Sequence, residues 1–243
     1  MGRMVKQLGL LVGVLALTAS PAWAAILDFN MDAIHVATTS VSYAGGAAPL
    51  VGTDISVDTV TGLGGTPLNN STTLTIVGGD LDFTTGNLVG SLNVPIPVVP
   101  DLAFWFFGGG GSITLTGGVD LDGGGIGAGD IALGTTLLSG SFTGATVTGD
   151  DSSNFKVVIA GFTDIKNDQL AGFYGLPGTG FGWNGNINLS FNAAAFPAPS
   201  SFTSSSVLSG DLINTPVVPE PSSMLLMGLG LLGGLGGSRK KLF

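Results

Sequence analysis

Aspartates in glycine-rich turns are the residues of this sequence best placed to do chemistry. Two pairs share an Asp-x-Asp spacing shortly after a Gly-Gly break, and a fifth aspartate follows them: Asp80, Asp82, Asp120, Asp122 and Asp130. Carboxylate oxygens on flexible loops suit Ca²⁺, which prefers hard oxygen ligands. No complete calcium-loop pattern is present, and aspartate in a turn also caps its own backbone. We therefore predict no required cofactor, with Ca²⁺ as the candidate metal.

Catalytic residue combinations are scarce. The chain has a single His, His35, and no Cys, which excludes disulfides, thiolate nucleophiles and zinc sites built on His or Cys. A Ser-His-Asp triad would have to use His35, and no Gly-x-Ser-x-Gly turn is present. Two aspartates could still act as a glycosidase pair, so a secreted hydrolase is retained as an alternative. We predict that the protein is not an enzyme.

Aromatic and threonine side chains suggest two further binding roles. Aromatic rings could stack on the sugars of an extracellular polysaccharide, and the candidates are Tyr43, Trp105, Tyr174 and Trp183. Core packing explains the dense aromatic patch at 104–107 more simply. The pairs Thr73/Thr75 and Thr114/Thr116 could form a hydroxyl face of the ice-binding kind, and the β-propensity of Thr explains them equally well. A calcium-assisted carbohydrate-binding module is the first alternative, followed by an ice-binding surface.

Charge is unevenly distributed along the chain. Residues 25–218 contain fifteen Asp and two basic residues, Lys156 and Lys166, and the whole chain has a net charge of −9. Binding a polyanion requires clustered Lys and Arg, so we exclude nucleic acid as a partner. The chain has 42 Gly among 243 residues, which suits short strands joined by tight turns.

Residues 1–24 have the layout of a secretory signal peptide. Two basic residues precede an apolar core over residues 8–19, and a small-x-small pattern follows. The core is shorter than the ~20 residues that a membrane span needs. We predict an N-terminal signal helix, Sec export and removal by signal peptidase. The residues around the cleavage point are Ala22, Ala24 and Ala25.

From residue 25 onward, short alternating runs are separated by Gly, Asn and Asp. Examples are 74–77, which ends at Gly78-Gly79, and 186–191. Apolar residues at every second position are typical of strands that are buried on one face. We predict an all-β exported domain over residues 25–195, built as a β-sandwich. Two similar strand-Gly-Gly-strand units, about 40 residues apart, leave a β-solenoid as the alternative.

Two segments depart from this pattern. Residues 163–170 predict one helical turn or a loop. Residues 196–218 are rich in Pro, Ala and Ser, so we interpret them as a Pro/Ser-rich linker or as a loop before one last strand at 207–213.

The last 25 residues have three parts in a fixed order. Pro219, Glu220 and Pro221 form a polar triplet that holds the one Glu of the chain. An uncharged apolar run at 222–238 follows, and its 17 residues reach about 25 Å at 1.5 Å per residue, against a ~30 Å hydrocarbon core. A basic cluster closes the tail: Arg239, Lys240 and Lys241.

These three parts predict a temporary membrane stop. Basic residues beside a span stay on the cytoplasmic side, which places the rest of the chain outside. The prolines hold the backbone extended and keep the triplet accessible. A short, glycine-rich transmembrane helix suits a tail that is removed after it has served as a signal.

In motif, apolar run and basic cluster, residues 219–243 resemble the PEP-CTERM sorting signal of Gram-negative bacteria. The resemblance implies that exosortase, a membrane protease, recognises Pro219, Glu220 and Pro221. It also implies a setting of exopolysaccharide production and biofilm formation. It covers the tail alone and does not extend to the β-rich domain.

We therefore expect an exported, non-enzymatic protein of the cell surface or extracellular matrix. It would contact the membrane transiently through its tail, be processed by exosortase and finish at the outer surface or outside the cell, where extracellular polysaccharide is a candidate partner.

Overall fold

Antiparallel β-strands make up most of the protein described by the structure, a computed structural model that covers residues 25–31, 38–96, 100–194 and 196–217. These ranges contain eleven strands and one short helix, α1 (Asp168–Phe173). The strands are β1 (Ile26–Met31), β2 (Ser40–Tyr43), β3 (Pro49–Ser56), β4 (Thr59–Leu63), β5 (Thr73–Val94), β6 (Leu102–Phe107), β7 (Gly110–Val119), β8 (Ile131–Asp150), β9 (Asn154–Lys166), β10 (Trp183–Ala193) and β11 (Phe202–Pro216).

The strands form where the sequence alternates between apolar and polar residues. In β10 the buried positions Ile187, Leu189, Phe191 and Ala193 are separated by Asn or Ser. Successive side chains of a strand point to opposite faces. Each such strand therefore has an apolar face toward the core and an outward face of small or polar residues.

All eleven strands join in one sheet, and each pairing between them is antiparallel. The hydrogen-bonded path runs β1–β4–β5–β7–β8–β9–β10–β11 and returns to β1, so the sheet closes on itself. The remaining three strands pair with other parts of these long strands. β3 pairs with β5 and β2, and β2 in turn pairs with β11. β6 pairs with both β5 and β8.

The predicted all-β class is confirmed, and the described strands form one large antiparallel sheet. The alternative of a solenoid of parallel coils is wrong, since the pairings are antiparallel. The strands are linked into one sheet because β5 and β8 are long, with 22 and 20 residues. Each continues from one set of partners to the next through register shifts, as strands do at the corners of folded sheets.

The glycine pairs at which we predicted strands to end lie inside strands in the structure. The run at 74–77 does not end at Gly78-Gly79, because β5 continues through both residues with a register shift between Val77 and Asp80. Gly78 adopts a φ of 60° there, a left-handed conformation that glycine tolerates and that is typical of bulges.

The closed sheet surrounds one apolar core that is filled by aromatic rings. Trp105, Phe155 and Phe202 pack together with ring centroids 5.4 to 5.6 Å apart. Tyr43 and Phe191 extend this cluster through contacts with Phe202. Tilted and edge-to-face rings at such distances stabilise the core beyond the burial of their area.

Helix α1 follows β9 directly and packs beside the sheet. The side chain of Asn167 caps the helix by accepting hydrogen bonds from the N–H groups of Gln169 and Leu170. Just after the helix, the buried Tyr174 hydroxyl shares its one proton between the carbonyls of Val60 and Thr72, each at 3.0 Å. The helical turn expected at 163–170 thus begins at residue 168, because β9 extends to Lys166.

The segment at 196–218 contributes a strand to the sheet. β11 occupies residues 202–216 and pairs with β10, β1 and β2, so the last strand is longer than the predicted 207–213. No helix within the described ranges has the length and apolar character needed to cross a membrane. The signal helix at 1–24 and the short transmembrane helix of the tail lie outside the described residues.

Candidate functional site

Three aspartates come together where β3 meets β5. Asp80 and Asp82 lie on β5, and Asp54 lies on β3 at a register shift, with a φ of 52°. One carboxylate oxygen from each lies within 4.8 Å of the others. Asp82 Oδ1 accepts a hydrogen bond of 3.0 Å from the N–H of Asp54. The group, named here the strand triad, is defined by Asp54, Asp80 and Asp82.

The electrostatics of the strand triad are unfavourable without a cation. Asp80 Oδ1 is buried and accepts no hydrogen bond within the described part of the chain. Burial, followed by the charges of Asp82 and Asp54, raises the pKa of Asp80. Like charges and lost hydration both disfavour a carboxylate, so the ionised form of Asp80 lacks compensation here.

A cleft of about 400 Å³ opens beside the strand triad. The cleft is lined by hydroxyl residues, aspartates and glycines: Thr38, Asp54, Ser56, Asp58, Gly78, Gly79 and Asp80. On the neighbouring strand β7, Thr116 and Thr114 pair with Asp80 and Asp82. Hydroxyl and carboxylate oxygens are thus concentrated on one outward face.

A second group lies in the turn between β7 and β8. Asp120, Asp122 and Asp130, named here the turn triad, also bring carboxylate oxygens within 4.8 Å of one another. Asp120 accepts hydrogen bonds from the N–H groups of Gly123 and Gly125, at 2.7 Å each. Those two bonds, Gly125 first, lower the pKa of Asp120.

The turn triad is held in place by its own backbone. Asp130 accepts from the N–H groups of Leu121 and Gly127 through its two oxygens, both at 2.8 Å. Asp122 accepts from the N–H of Gly124 at 2.8 Å. A carboxylate oxygen has two lone pairs, so oxygens engaged in this way can still bind a hard cation.

The five predicted calcium residues therefore fall into two separate groups, and the structure adds Asp54. Its place in the strand triad depends on the pairing of β3 with β5 and on its left-handed backbone. Nothing in the sequence pattern indicates that β3 pairs with β5 in the register that brings Asp54 to the other two aspartates. Three carboxylates in each group offer the oxygen ligands that Ca²⁺ requires, with carbonyls and waters available to complete the shell.

The aromatic residues considered for sugar stacking lie in the core. Trp105, Trp183 and Tyr174 are fully buried, and Tyr43 is 1% exposed. The expectation that these four could stack on a polysaccharide is therefore wrong, because they alternate inward on their strands or pack under them. Phe104 and Phe106, which point outward from β6, stack on each other, with nearly parallel rings and centroids 6.3 Å apart.

The threonine pairs occupy different parts of the outer surface. Thr73 and Thr75 are exposed and lie opposite Thr61 and Thr59 of β4. The hydroxyls of Thr61 and Thr73 are hydrogen-bonded at 2.9 Å. His35, on which a catalytic triad would depend, lies outside the described residues.

A buried polar group was missed by sequence reasoning. Lys166 and Asp164 on β9 form an ion pair in the core, and Asn214 on β11 donates to Asp164 at 2.9 Å. Asp164 and Lys166 lie on β9 and Asn214 lies on β11, so the pairing of both strands with β10 brings the three residues together.

Residues 217–240 match the family model described as the PEP-CTERM protein-sorting motif. The chain carries a PEP-CTERM sorting motif. The match includes Pro219, Glu220, Pro221, Arg239 and Lys240, and ends one residue before Lys241. No curated protein and no solved structure matches the chain.

The PEP-CTERM motif begins in the sequence where the sheet ends. β11 finishes at Pro216, and Val217 donates its N–H to the carbonyl of Gly182 at 2.9 Å. The motif supports an exported protein that is sorted through exosortase and anchored transiently in the membrane before surface display. Apart from Val217, the matched residues lie outside the described ranges, as do the signal-peptide residues Ala22 and Ala24.

Proposed function

We propose that the protein is a non-enzymatic structural component of the cell surface or extracellular matrix, delivered by exosortase in a setting of exopolysaccharide and biofilm formation. The observation that carries this proposal is the PEP-CTERM motif at residues 217–240. Signal peptidase would first cleave before Ala25. Exosortase would then recognise Pro219, Glu220 and Pro221 while Arg239, Lys240 and Lys241 keep the end of the tail in the cytoplasm.

The distribution of residues over the domain supports a structural role. Most of the large aromatic side chains fill the core, and the outward positions of the strands are mostly Gly, Ser, Thr, Asn and Asp. Such a surface offers hydroxyls, amides and carboxylates for hydrogen bonding to a hydrated matrix. A filled core held by antiparallel pairing gives a rigid unit that can be displayed.

The sorting step is tested in a host that contains exosortase. Mass spectrometry of the mature wild-type protein should find a C-terminus upstream of Arg239, and the triple substitution Pro219→Ala, Glu220→Ala, Pro221→Ala should retain the tail. Pro216→Ala is a matched control, because Pro216 precedes the motif, and it should be processed normally. An intact Arg239–Phe243 end on the mature wild-type protein would contradict the proposal.

A second proposed property is Ca²⁺ binding, favoured by the grouping of six carboxylates into two triads. A ligand that binds only the folded state raises the unfolding temperature. Millimolar Ca²⁺ should therefore raise the melting temperature of the wild-type domain, and less so that of Asp80→Asn and Asp120→Asn. Asp151→Asn, in an exposed turn outside both triads, should respond like the wild type. A wild-type melting temperature that is equal in Ca²⁺ and in chelator would refute calcium binding.

Calcium-assisted binding of polysaccharide would then depend on the triads, since the buried aromatics are not accessible to sugars. A glycan array probed in Ca²⁺ and in chelator distinguishes a carbohydrate-binding module from a purely structural component. Calcium-dependent retention of defined glycans would favour the binding module, and uniform absence of retention would favour the structural role.

A further inference from the structure

In the core, the side chain of an aspartate contacts a lysine on one side and an asparagine on the other. Lys166 Nζ pairs with Asp164 Oδ2, and both side chains are fully buried. Asp164 Oδ1 accepts a hydrogen bond of 2.9 Å from Asn214 Nδ2. A single carboxyl group thus contacts both an amine and a carboxamide, one through each oxygen.

The surrounding strands are shaped to allow this contact. β10 lies between β9 and β11, with Trp183 opposite Asp164 and Gly185 opposite Asn214. A Cβ on Gly185 would overlap both the Asn214 amide nitrogen and the Phe162 ring. Because Gly185 has no side chain, the amide of Asn214 can reach across β10 to Asp164.

The amine of Lys166 also lies across β10. Its Nζ is 5.0 Å from the ring centroid of Trp183 and 5.9 Å from that of Phe29. Phe29 belongs to β1, which pairs with β11 on the side away from β10. The lysine amine therefore lies near the rings of β10 and β1, the two strands that flank β11, and it is linked to Asn214 through Asp164.

Burial alters the reactivity of these groups. Desolvation lowers the pKa of Lys166 well below its usual value, which favours the neutral, nucleophilic amine. A buried ion pair is often less favourable than apolar packing. One proton transfer from Nζ to Asp164 converts the pair into a neutral amine and a neutral carboxylic acid. Asn214 Oδ1 is buried and accepts no hydrogen bond from the described residues.

We propose that Lys166 and Asn214 form an intramolecular amide cross-link, with Asp164 transferring the proton. The Nζ lone pair attacks Cγ of Asn214, and the carbonyl oxygen takes up the developing negative charge. Asp164 gives its proton to Nδ2 and receives one from Nζ. The Cγ–Nδ2 bond breaks, ammonia leaves, and an amide joins the two side chains. No oxidant or reductant is needed, because no atom changes its oxidation state.

The cross-link would join β9 covalently to β11 in a chain without cysteine. It closes the loop between residues 166 and 214 and so reduces the freedom of the unfolded chain, as a disulfide does. Because it depends only on core residues, the cross-link is independent of the role proposed for the surface.

The test is peptide mapping of the full chain, expressed with its own export signals and purified from the host. Proteolysis on the amino side of aspartate yields peptide 164–167 and a peptide that begins at Asp211. In the wild type, these two peptides should be recovered as one branched species, lighter than their sum by about 17 Da, the mass of ammonia. Fragmentation should place the bond between Lys166 and Asn214.

Substitutions identify the residues that form the cross-link. Lys156→Arg changes the other lysine of the domain, which is exposed, and should leave the branched species intact. Lys166→Met and Asp164→Asn should abolish it. Two unlinked wild-type peptides of ordinary mass would overturn the proposal. So would a loss of about 18 Da, one water, confined to peptide 164–167, because that bond would join Lys166 to Asp164 instead. The wild-type measurement decides even if a variant fails to fold.

Discussion

At the scale of single residues, Asp80 is the clearest case of a side chain whose local environment opposes its charge. Its pKa is raised above the unfolded value by burial and by two neighbouring carboxylates. An acid whose pKa is higher in the folded state reduces stability when it is ionised, and this penalty disappears as the pH falls below the unfolded pKa.

Asp80→Asn should therefore stabilise the calcium-free domain at pH 7 by removing the unfavourable charge. The difference from the wild type should decrease as the pH is lowered toward and below 3.8, the ordinary pKa of the group. Chemical denaturation in chelator at several pH values measures this. An Asn variant that is less stable than the wild type at pH 7 without calcium would contradict the electrostatic account.

Tyr174 is the second residue with a defined energetic role. Tyr174→Phe removes a buried hydroxyl that donates to the carbonyls of Val60 and Thr72. The Thr72 carbonyl keeps a second donor, the N–H of Gly62, so the loss should be that of an ordinary buried hydrogen bond, about 0.5–1.5 kcal/mol in the free energy of unfolding. Tyr43→Phe is the matched control, since that hydroxyl donates to one partly buried carbonyl, of Gly46, and its loss should cost less. Equal losses in the two variants would refute this account.

At the scale of elements, α1 depends on its cap, because a six-residue helix is too short to be stable alone. Asn167→Ala should reduce the free energy of unfolding by about 1 kcal/mol through loss of the N-cap. Asn167→Asp retains an acceptor for the N–H groups of Gln169 and Leu170 and should stay close to the wild type. A similar loss in both variants would show that the cap is not the cause. Urea denaturation gives both values.

The sequence predicts strand type well and strand continuity poorly. The two-residue alternation at 186–191 places that run inside β10, as expected. Gly78-Gly79 has the composition of a hairpin turn, yet β5 continues through it as a bulge, because pairing with β7 resumes at Asp80. Whether a glycine pair ends or bends a strand depends on partners distant in sequence.

The candidate sites likewise differ in whether local sequence or the pairing of strands brings their residues together. The turn triad can be predicted because its aspartates lie within one short loop. The complete strand triad and the Lys166–Asp164–Asn214 group cannot, since each depends on which strands pair and in which register. In the sequence, Lys166 has the features of an ordinary surface lysine, and only the fold shows that it is buried.

At the scale of the whole molecule, β11 completes the sheet. It pairs with β10 along its length and with β1 and β2 near its two ends. A chain of residues 25–217 retains every described strand, whereas a chain of residues 25–201 lacks β11 and exposes the core.

We therefore expect the 25–217 chain to unfold in one cooperative thermal transition with buried tryptophan fluorescence. The 25–201 chain should show no such transition. Circular dichroism and fluorescence melts of the two chains make the comparison, and a cooperative transition in the shorter chain would contradict the assignment of β11 as the closing strand.

The position of β11 also sets the timing of events during export. On the export route that the PEP-CTERM motif supports, β11 would be the last strand of the sheet to emerge on the far side of the membrane, immediately before the sorting motif. Contacts between the two ends of a chain form late and slowly. On the exosortase route that the motif supports, we therefore expect the fold to be completed at about the stage when the tail reaches the membrane.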